Sequence, residues 1–273
     1  MKKASKYIYL TLMMIFLYAP ILVLIIFSFN TTKSHSVMSG FSFKWYQQLF
    51  RDSAIMSSLM STVIVAIISS IVSTVLGTFA ALGINSMKKL PRSATLGVNN
   101  IPMINPEIVT GVSLMLLFVF FAARMNFKMG YATLIIAHIT FDTPYVILNI
   151  MPKFRQMDKN LLDAAADLGC TPMQTFFKVT LPEILPGVLS GFLMAFTYSL
   201  DDFVVSYFVS GDTVQTLPIK IYSMTRRQVS PKINALSTLI FAVVVIVLIG
   251  KNIVEIKREK KLNKYKLHRR GEI

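Results

Sequence analysis

Cysteine is nearly absent from the sequence, because Cys170 is the only one among the 273 residues. A single cysteine excludes an internal disulfide and a cysteine-based metal cluster. The three histidines, His35, His138 and His268, lie far apart in the sequence, so a histidine-based zinc site is not predicted either. We expect the protein to hold no metal and no cofactor.

Charged residues are also scarce. They make up 15% of the chain, whereas soluble domains contain about 25% charged residues. Hydrophobic residues make up 54% of the chain, and the mean hydropathy is +0.60. This composition argues against an ordinary soluble domain and predicts an integral membrane protein.

The net charge of +15 invites comparison with nucleic-acid-binding proteins. The basic residues, however, lie in short segments between apolar runs and in the tail 251–273. This distribution is typical of membrane proteins with basic cytoplasmic loops. Since no basic domain stands apart from the apolar runs, we predict that nucleic acid is not a partner.

Six apolar segments are long enough to cross a bilayer, which takes about 20 helical residues. They are 7–29, 57–86, 97–123, 130–151, 184–210 and 233–250. Lipid offers the backbone no hydrogen-bond partners, so these segments are predicted to be helices. The first apolar run is too long for a signal peptide and lacks a following cleavage site, so we interpret it as a retained helix. The sequence therefore predicts an all-α protein with one transmembrane domain over residues 1–273.

The distribution of lysine and arginine predicts the orientation of these helices. With the N-terminus inside, the cytoplasmic segments hold 19 of the 28 basic residues and the external loops hold 9. The positive-inside rule then places both termini in the cytoplasm. The longest internal loop, 152–183, lies between the fourth and fifth spans.

This loop contains the stretch "DAAADLGCTPMQTFFKVTLP", residues 163–182, whose pattern predicts a helix, a turn and a second helix. Three residues share a helical face by their i, i+4, i+7 spacing: Leu161, Ala165 and Leu168. Gly169 can adopt the left-handed conformation that ends a helix. Thr171 is a candidate N-cap, with Pro172 at the first position of the second helix. Such a segment either docks into a groove on another protein or lies in the membrane interface, and the pattern alone does not decide between them.

The same stretch resembles the EAA motif of the permease subunits of binding-protein-dependent ABC importers, E-A-A-x3-G-x9-I-x-L-P. The matching residues are Asp163, Ala164, Ala165, Gly169, Val179, Leu181 and Pro182. Two of them depart from the pattern, Asp163 standing for Glu and Val179 for Ile. The resemblance implies the type I importer permease fold and a helix that docks into a cleft on an ATPase subunit.

The resemblance also implies an assembly with a second permease subunit, two ATPase copies and an external binding protein. The sequence contains no G-x-x-x-x-G-K-[ST] phosphate-binding loop. ATP hydrolysis is therefore assigned to a separate subunit, and the chain itself is not predicted to be an enzyme.

Four further stretches carry a closer resemblance, to the second permease subunit of spermidine/putrescine importers (the PotC type). They are "HITFDTPYVI", "SLDDFVVSYFVSG", "LPIKIYSM" and "SPKINALST". This resemblance implies a bacterial plasma-membrane protein that carries polyamines into the cytoplasm.

Acidic residues inside the predicted spans are the candidates for the substrate path. They are Glu107, Asp142, Asp201 and Asp202, with the ring of Tyr198 as an aromatic candidate. A carboxylate at the centre of a membrane helix costs about 2.5–3.5 kcal/mol on insertion scales, so such groups usually face a cavity or a partner. Carboxylates can replace the hydration of ammonium groups with charge-assisted hydrogen bonds, and prolines flanking Glu107 indicate a broken helix beside a cavity.

Structural roles compete with a path role for these acids. Asp201 and Asp202 can pair with Lys220 or Arg226 instead, and Asp142 can pair with His138, four residues before it.

Other functions compete with polyamine import as well. An importer permease for another solute, such as an amino acid, and a proton-coupled secondary transporter are the alternatives. An intramembrane enzyme is disfavoured because the sequence lacks G-x-S-x-G and H-E-x-x-H motifs.

Overall fold

The computed structural model describes residues 2–32, 37–125, 127–158, 160–227, 231–246 and 249. These residues form helices joined by short connections, and no β-strand occurs among them. The first six helices are α1 (Lys2–Ser28), α2 (Lys44–Arg51), α3 (Ser53–Ser86), α4 (Lys89–Ile104), α5 (Glu107–Met125) and α6 (Tyr131–Gln156). The others are α7 (Asn160–Asp167), α8 (Pro172–Thr175), α9 (Leu181–Asp201), α10 (Val204–Val209), α11 (Leu217–Arg227) and α12 (Pro231–Ile246).

Five of these helical segments are long and apolar enough to cross a membrane. They are Lys6–Ser28, Ser53–Ser86, Glu107–Met125, Tyr131–Gln156 and Pro172–Asp201. The sixth predicted span, 233–250, begins within the shorter apolar helix α12. Its last residues lie largely outside the described part of the chain. The predicted all-α membrane fold is confirmed, with shifted helix boundaries.

The third predicted span, 97–123, is not one helix. Residues 97–104 belong to α4, and the membrane-spanning helix α5 begins only at Glu107. The interruption lies at Asn105, whose φ of −71° and ψ of 136° are extended. Pro106 explains this conformation, because proline disfavours the helical region for the residue before it.

The fifth predicted span, 184–210, is wrong at both ends. A π-helical turn, Phe176–Thr180, joins α8 to α9, so the helix is continuous from Pro172. Pro182 follows this π-helical turn directly, as the second residue of α9 and inside the continuous helix, where it removes one backbone hydrogen bond. The helix then ends at Asp201, and the extended Asp202 (φ −64°, ψ 119°) separates α9 from α10.

The chain divides into two compact units. One comprises Ala54–Tyr222, and the other comprises Met1–Ser53 with Ser223–Ile273. Within the second unit, the indole of Trp45 donates to the carbonyl oxygen of Asn30 at 2.6 Å. In the same unit Lys232 and Asp52 form an ion pair at 3.0 Å. The single transmembrane domain stays a prediction.

Helices α6 and α9 form the packing centre of the larger unit. At Gly187 a Cβ atom would lie 2.9 Å from the carbonyl oxygen of Asn149 and 3.2 Å from the Cα of Ile150. At Gly191 it would lie 3.2 Å from the Cα of Val146. The two glycines therefore let the helix backbones approach closely, as small residues commonly do in membrane proteins. This contact fixes α9 against α6 and sets the position of its C-terminal end.

Candidate functional site: a cavity at two helix breaks

Two helix breaks meet at one cavity. The α4–α5 break lies just before Glu107, and the α9–α10 break follows Asp201. The cavity has a volume of about 230 Å³. Its lining comprises Pro102, Glu107, Thr110, Phe141, Tyr145, Tyr198, Asp201, Asp202, Phe203, Val204 and Val205. Interrupted helices of this kind occur inside membranes where they line a cavity.

The cavity lies near the middle of α6. Phe141 is 10 residues after the first residue of that helix, and Tyr145 is 11 residues before its last. A helix rises 1.5 Å per residue, so the site is roughly 15 Å or more from either end of α6. The site therefore lies near the middle of a helix long and apolar enough to cross a membrane, and carboxylates in the middle of such helices are costly without a partner or a cavity.

Two of the predicted path acids, Glu107 and Asp201, are exposed side chains of the cavity lining. Asp201 is the last residue of α9. The last carbonyl groups of a helix lack intrahelical donors and carry the negative end of its dipole. The C-terminal end of α9 and the two carboxylates therefore combine to make this cavity attractive to cations.

Asp202 differs from its neighbour Asp201, which the sequence did not reveal. The Asp202 side chain is only 7% exposed. Its Oδ1 accepts the backbone amide of Val205 at 3.2 Å, and its Oδ2 accepts that of Ser206 at 2.6 Å. A side-chain acceptor that bonds the first free amides of a helix acts as a cap. Asp202 therefore stabilises the start of α10, while Asp201 faces the cavity.

His138 lies behind this break and does not pair with Asp142, as the i, i+4 spacing suggested. The His138 ring, 1% exposed, has its Nδ1 2.5 Å from the Ser199 hydroxyl and its Nε2 3.0 Å from the Ser206 hydroxyl. Its Nε2 also lies 3.6 Å from Oδ2 of Asp202. The side chain thus contacts residues on both sides of the break.

Asp142 is wholly buried and does not belong to the cavity lining. Neither of its carboxylate oxygens has a hydrogen-bond partner among the described residues. The Ser69 hydroxyl of α3 lies near it but outside hydrogen-bond geometry. Phe141 and Tyr145 line the cavity, whereas Asp142 of the same helix is buried away from it. The role of Asp142 in the path stays a prediction.

Tyr198, the aromatic candidate, lies in the cavity wall and is 39% exposed. Its ring stacks on that of Tyr145, with centroids 4.4 Å apart and an interplanar angle of 30°. Sequence reasoning missed Tyr145, although its spacing of four residues from Phe141 places both on one face of α6. The ring of Phe203 continues the aromatic surface, with its centroid 4.7 Å from that of Tyr222.

The EAA-like stretch forms a helix, a glycine turn and a second helix, as predicted. Helix α7 ends in a Schellman motif: the amide of Gly169 bonds the carbonyl of Ala166, and that of Cys170 bonds the carbonyl of Ala165. Gly169 has a φ of +75°. Thr171 and Gln174 then form a capping box that starts α8.

The surface of this segment is partly apolar. Ala165 is 5% exposed, whereas Leu168 is 84% exposed. The predicted common face of Leu161, Ala165 and Leu168 is therefore wrong, because α7 ends at Asp167 and Leu168 already lies in the turn. Leu168, Met173 and Phe177 are exposed large apolar side chains on this segment.

The other residues of the motif divide between surface and core. Asp163, Ala164 and Pro182 are exposed. Leu181 packs against the core cluster that includes Ile150 and Ile184. Their contact with an ATPase stays a prediction.

Residues 73–256 match the family model described as "Binding-protein-dependent transport system inner membrane component". The chain belongs to this family. The resemblance found in the EAA-like stretch is thereby confirmed, and a binding-protein-dependent permease component is a multi-pass membrane protein rather than an enzyme.

Relatives within the family match most of the chain. The putrescine transport system permease protein PotI of Escherichia coli K12 is 41% identical over 85% of this chain and 84% of its own. The spermidine/putrescine transport system permease protein PotC of Haemophilus influenzae is 35% identical over 82% of this chain and 86% of its own.

Two solved structures show the same fold. A bacterial ABC transporter involved in the import of alginate has a TM-score of 0.68 at 11% identity, covering 93% of this chain and 95% of that chain. The methionine ABC transporter MetNI has a TM-score of 0.54 at 19% identity, covering 75% of this chain and 98% of that chain.

Proposed function

We propose that this permease forms part of the path by which an ATP-driven importer carries polyamines, such as putrescine and spermidine, into the cytoplasm. The observation that carries the proposal is the cavity at the two helix breaks, where Glu107, Asp201 and the C-terminal end of α9 converge. The names of the relatives, putrescine and spermidine/putrescine permeases, support the same substrate class.

The chemistry of the cavity fits an alkyl chain with ammonium groups. Among the described lining residues, the charged side chains are all acidic. Carboxylates accept charge-assisted hydrogen bonds from ammonium groups, and the stacked rings of Tyr145 and Tyr198 offer π-faces that attract cations. An amino acid would bring a carboxylate into this acidic lining, so polyamines suit the site better.

The cavity supports a role for a second permease subunit. Glu107, Tyr198 and Asp201 are exposed on this chain, although they lie at the depth of the membrane centre. Exposed acids at this depth call for a polar partner surface. We expect the second permease subunit to supply the opposite wall of the path.

The segment 160–180 supports the contact with an ATPase. Its motif residues Asp163 and Ala164 are exposed, and Leu168 and Met173 add apolar surface. Short helices with apolar anchors commonly dock into grooves on partner proteins. In the proposed assembly, two ATPase copies bind on the cytoplasmic side and an external binding protein delivers the polyamine.

The proposal is tested by transport in reconstituted vesicles. The complex should contain this chain, a second permease, the ATPase and the binding protein. We expect it to transport labelled putrescine or spermidine only when ATP is present on the side of the membrane where the ATPase lies. Unlabelled polyamines should compete, whereas amino acids should not. Uptake of an amino acid with no effect of polyamines would contradict the proposal, and uptake driven by a proton gradient without ATP would support a secondary transporter.

The orientation required by the proposal can be tested by cysteine labelling. In a Cys170→Ser protein we expect Met38→Cys to react with an impermeant thiol reagent in intact cells. Met173→Cys should react only after the cells are opened. Both methionines have exposed side chains in this chain. The protein should be produced without its ATPase, which is proposed to cover Met173, so that a lack of labelling reflects the membrane rather than burial. The reverse pattern would place the EAA-like segment outside the cell and contradict the coupling role.

A further inference from the structure

The His138 ring joins the two helical segments that meet at the α9–α10 break. Its Nδ1 lies 2.5 Å from the hydroxyl of Ser199, in the last turn of α9. Its Nε2 lies 3.0 Å from the hydroxyl of Ser206, in α10. These partners are 61 and 68 residues away in sequence. The ring therefore fixes from α6 the geometry of a break that neither glycine nor proline creates.

The contact with Asp202 favours one of the two neutral tautomers of the ring. Nε2 lies 3.6 Å from Oδ2 of that carboxylate, and a lone pair pointing towards a carboxylate would be repelled. The favoured tautomer carries its proton on Nε2 and accepts a hydrogen bond at Nδ1. The Ser199 hydroxyl then donates to Nδ1. The Ser69 hydroxyl lies 3.0 Å from Ser199 Oγ and also 3.3 Å from the carbonyl oxygen of Ala66, to which it donates. Polar contacts thus link α3, through Ser199 and His138, to the break.

We infer that His138 is a positioning residue for the cation path: through Ser199, Ser206 and Asp202 it holds the break that presents the Asp201 carboxylate to the cavity. The inference rests on the proposed function of the cavity. Asp202 is the link in this arrangement, because its carboxylate bonds the first amides of α10 and faces the imidazole.

A packing role alone would not need these contacts. The centroids of the Phe141 and His138 rings lie 5.0 Å apart. An aromatic residue of similar size at position 138 would therefore also fill the space. Such a residue would leave the buried hydroxyls of Ser199 and Ser206 without their imidazole partner, which is unfavourable in an apolar environment. Charge-assisted hydrogen bonds depend on distance and direction, so a shifted break would weaken the contact of Asp201 with a cation.

Two amide variants separate these roles. The His138→Gln side chain can place an N–H near the position of Nε2, towards Ser206 and Asp202, whereas His138→Asn reaches only the position of Nδ1. We expect His138→Asn to lower polyamine uptake about tenfold, the effect of losing one buried hydrogen bond, that of Nε2 with Ser206. We expect His138→Gln to retain most of the uptake, with equal amounts of assembled complex for both. Equal losses of uptake and of complex in the two variants would overturn the inference.

A double-mutant cycle tests whether His138 acts through Asp202. In an Asp202→Asn protein, which keeps a capping oxygen, we expect His138→Asn to cause little further loss of uptake. If the fold-loss of uptake in the double variant equals the product of the two single fold-losses, the two residues act independently, and the inference would be overturned.

A labelling experiment tests the geometry without a polyamine. In a Cys170→Ser background, the rate at which a small cationic thiol reagent modifies Asp201→Cys should change several-fold when His138→Asn is added. It should stay near the starting rate when His138→Gln is added. An unchanged rate with His138→Asn would overturn the inference, whereas a wild-type complex that carries no polyamine would contradict only the proposed function.

Discussion

Replacing Asp201 with asparagine should reduce polyamine uptake by at least about tenfold, without reducing the amount of assembled complex. Asparagine keeps the size and the hydrogen-bonding capacity of the side chain and removes its charge. Two unit charges about 4 Å apart interact by about 4 kcal/mol at an effective dielectric constant of 20. Losing about 1.4 kcal/mol, roughly a third of this interaction, corresponds to a tenfold decrease. Uptake and assembled complex should be measured in the same vesicles.

The matched control is Asp158→Asn. Asp158 is exposed between α6 and α7 and accepts the amide of Asn160 at 3.0 Å, a bond that asparagine can also accept. This variant removes one negative charge far along the chain from the cavity, so we expect uptake close to that of the wild type. Wild-type uptake by Asp201→Asn would remove Asp201 from the path. A loss of assembled complex would instead indicate a structural role.

Asp202→Asn should behave differently from Asp201→Asn. Its carboxylate bonds two backbone amides of α10, and asparagine can retain one of these bonds. We therefore expect part of its loss to arise from a less ordered break, visible as lower thermal stability of the complex. We therefore expect the two substitutions to have different effects, although the two aspartates are adjacent in the sequence.

Replacing Gly169 with valine should uncouple the permease from its ATPase. A residue with a Cβ atom disfavours the left-handed conformation by roughly 1–2 kcal/mol, and Gly169 has a φ of +75°. A Cβ atom at this position would meet no atom within 4 Å, so the penalty is one of backbone conformation rather than of steric clash. We expect the end of α7 to be redirected, with ATPase association weakened by about 5- to 30-fold and uptake reduced accordingly.

Gly169→Asn is the control for this prediction. Asparagine adds a side chain at the same place but tolerates the left-handed region better than other residues. We expect Gly169→Asn to retain much of the ATPase binding measured by co-purification, and both variants to insert normally into the membrane. Normal ATPase binding and uptake by Gly169→Val would contradict the coupling role of this segment.

Features that depend on neighbouring residues could be predicted from the sequence. Composition and the length of the apolar runs determined the membrane class, because a helix that crosses lipid must satisfy its own backbone hydrogen bonds. The glycine turn at Gly169 and the N-cap at Thr171 are confirmed as predicted, since both act within a few residues. The break before Glu107 also follows a local rule, set by Pro106.

Features that depend on contacts between distant segments were decided only by the tertiary structure. No proline or glycine lies at the α9–α10 break, so the sequence contains no local signal for it. Asp202 and His138 of another helix hold the break. The stack of Tyr145 on Tyr198 and the complete burial of Asp142 likewise depend on how α6 packs against α9 and α3. Acidic residues in apolar segments are recognisable in a sequence, but whether a carboxylate faces a cavity, caps a helix or is buried depends on packing between helices, which local patterns do not specify.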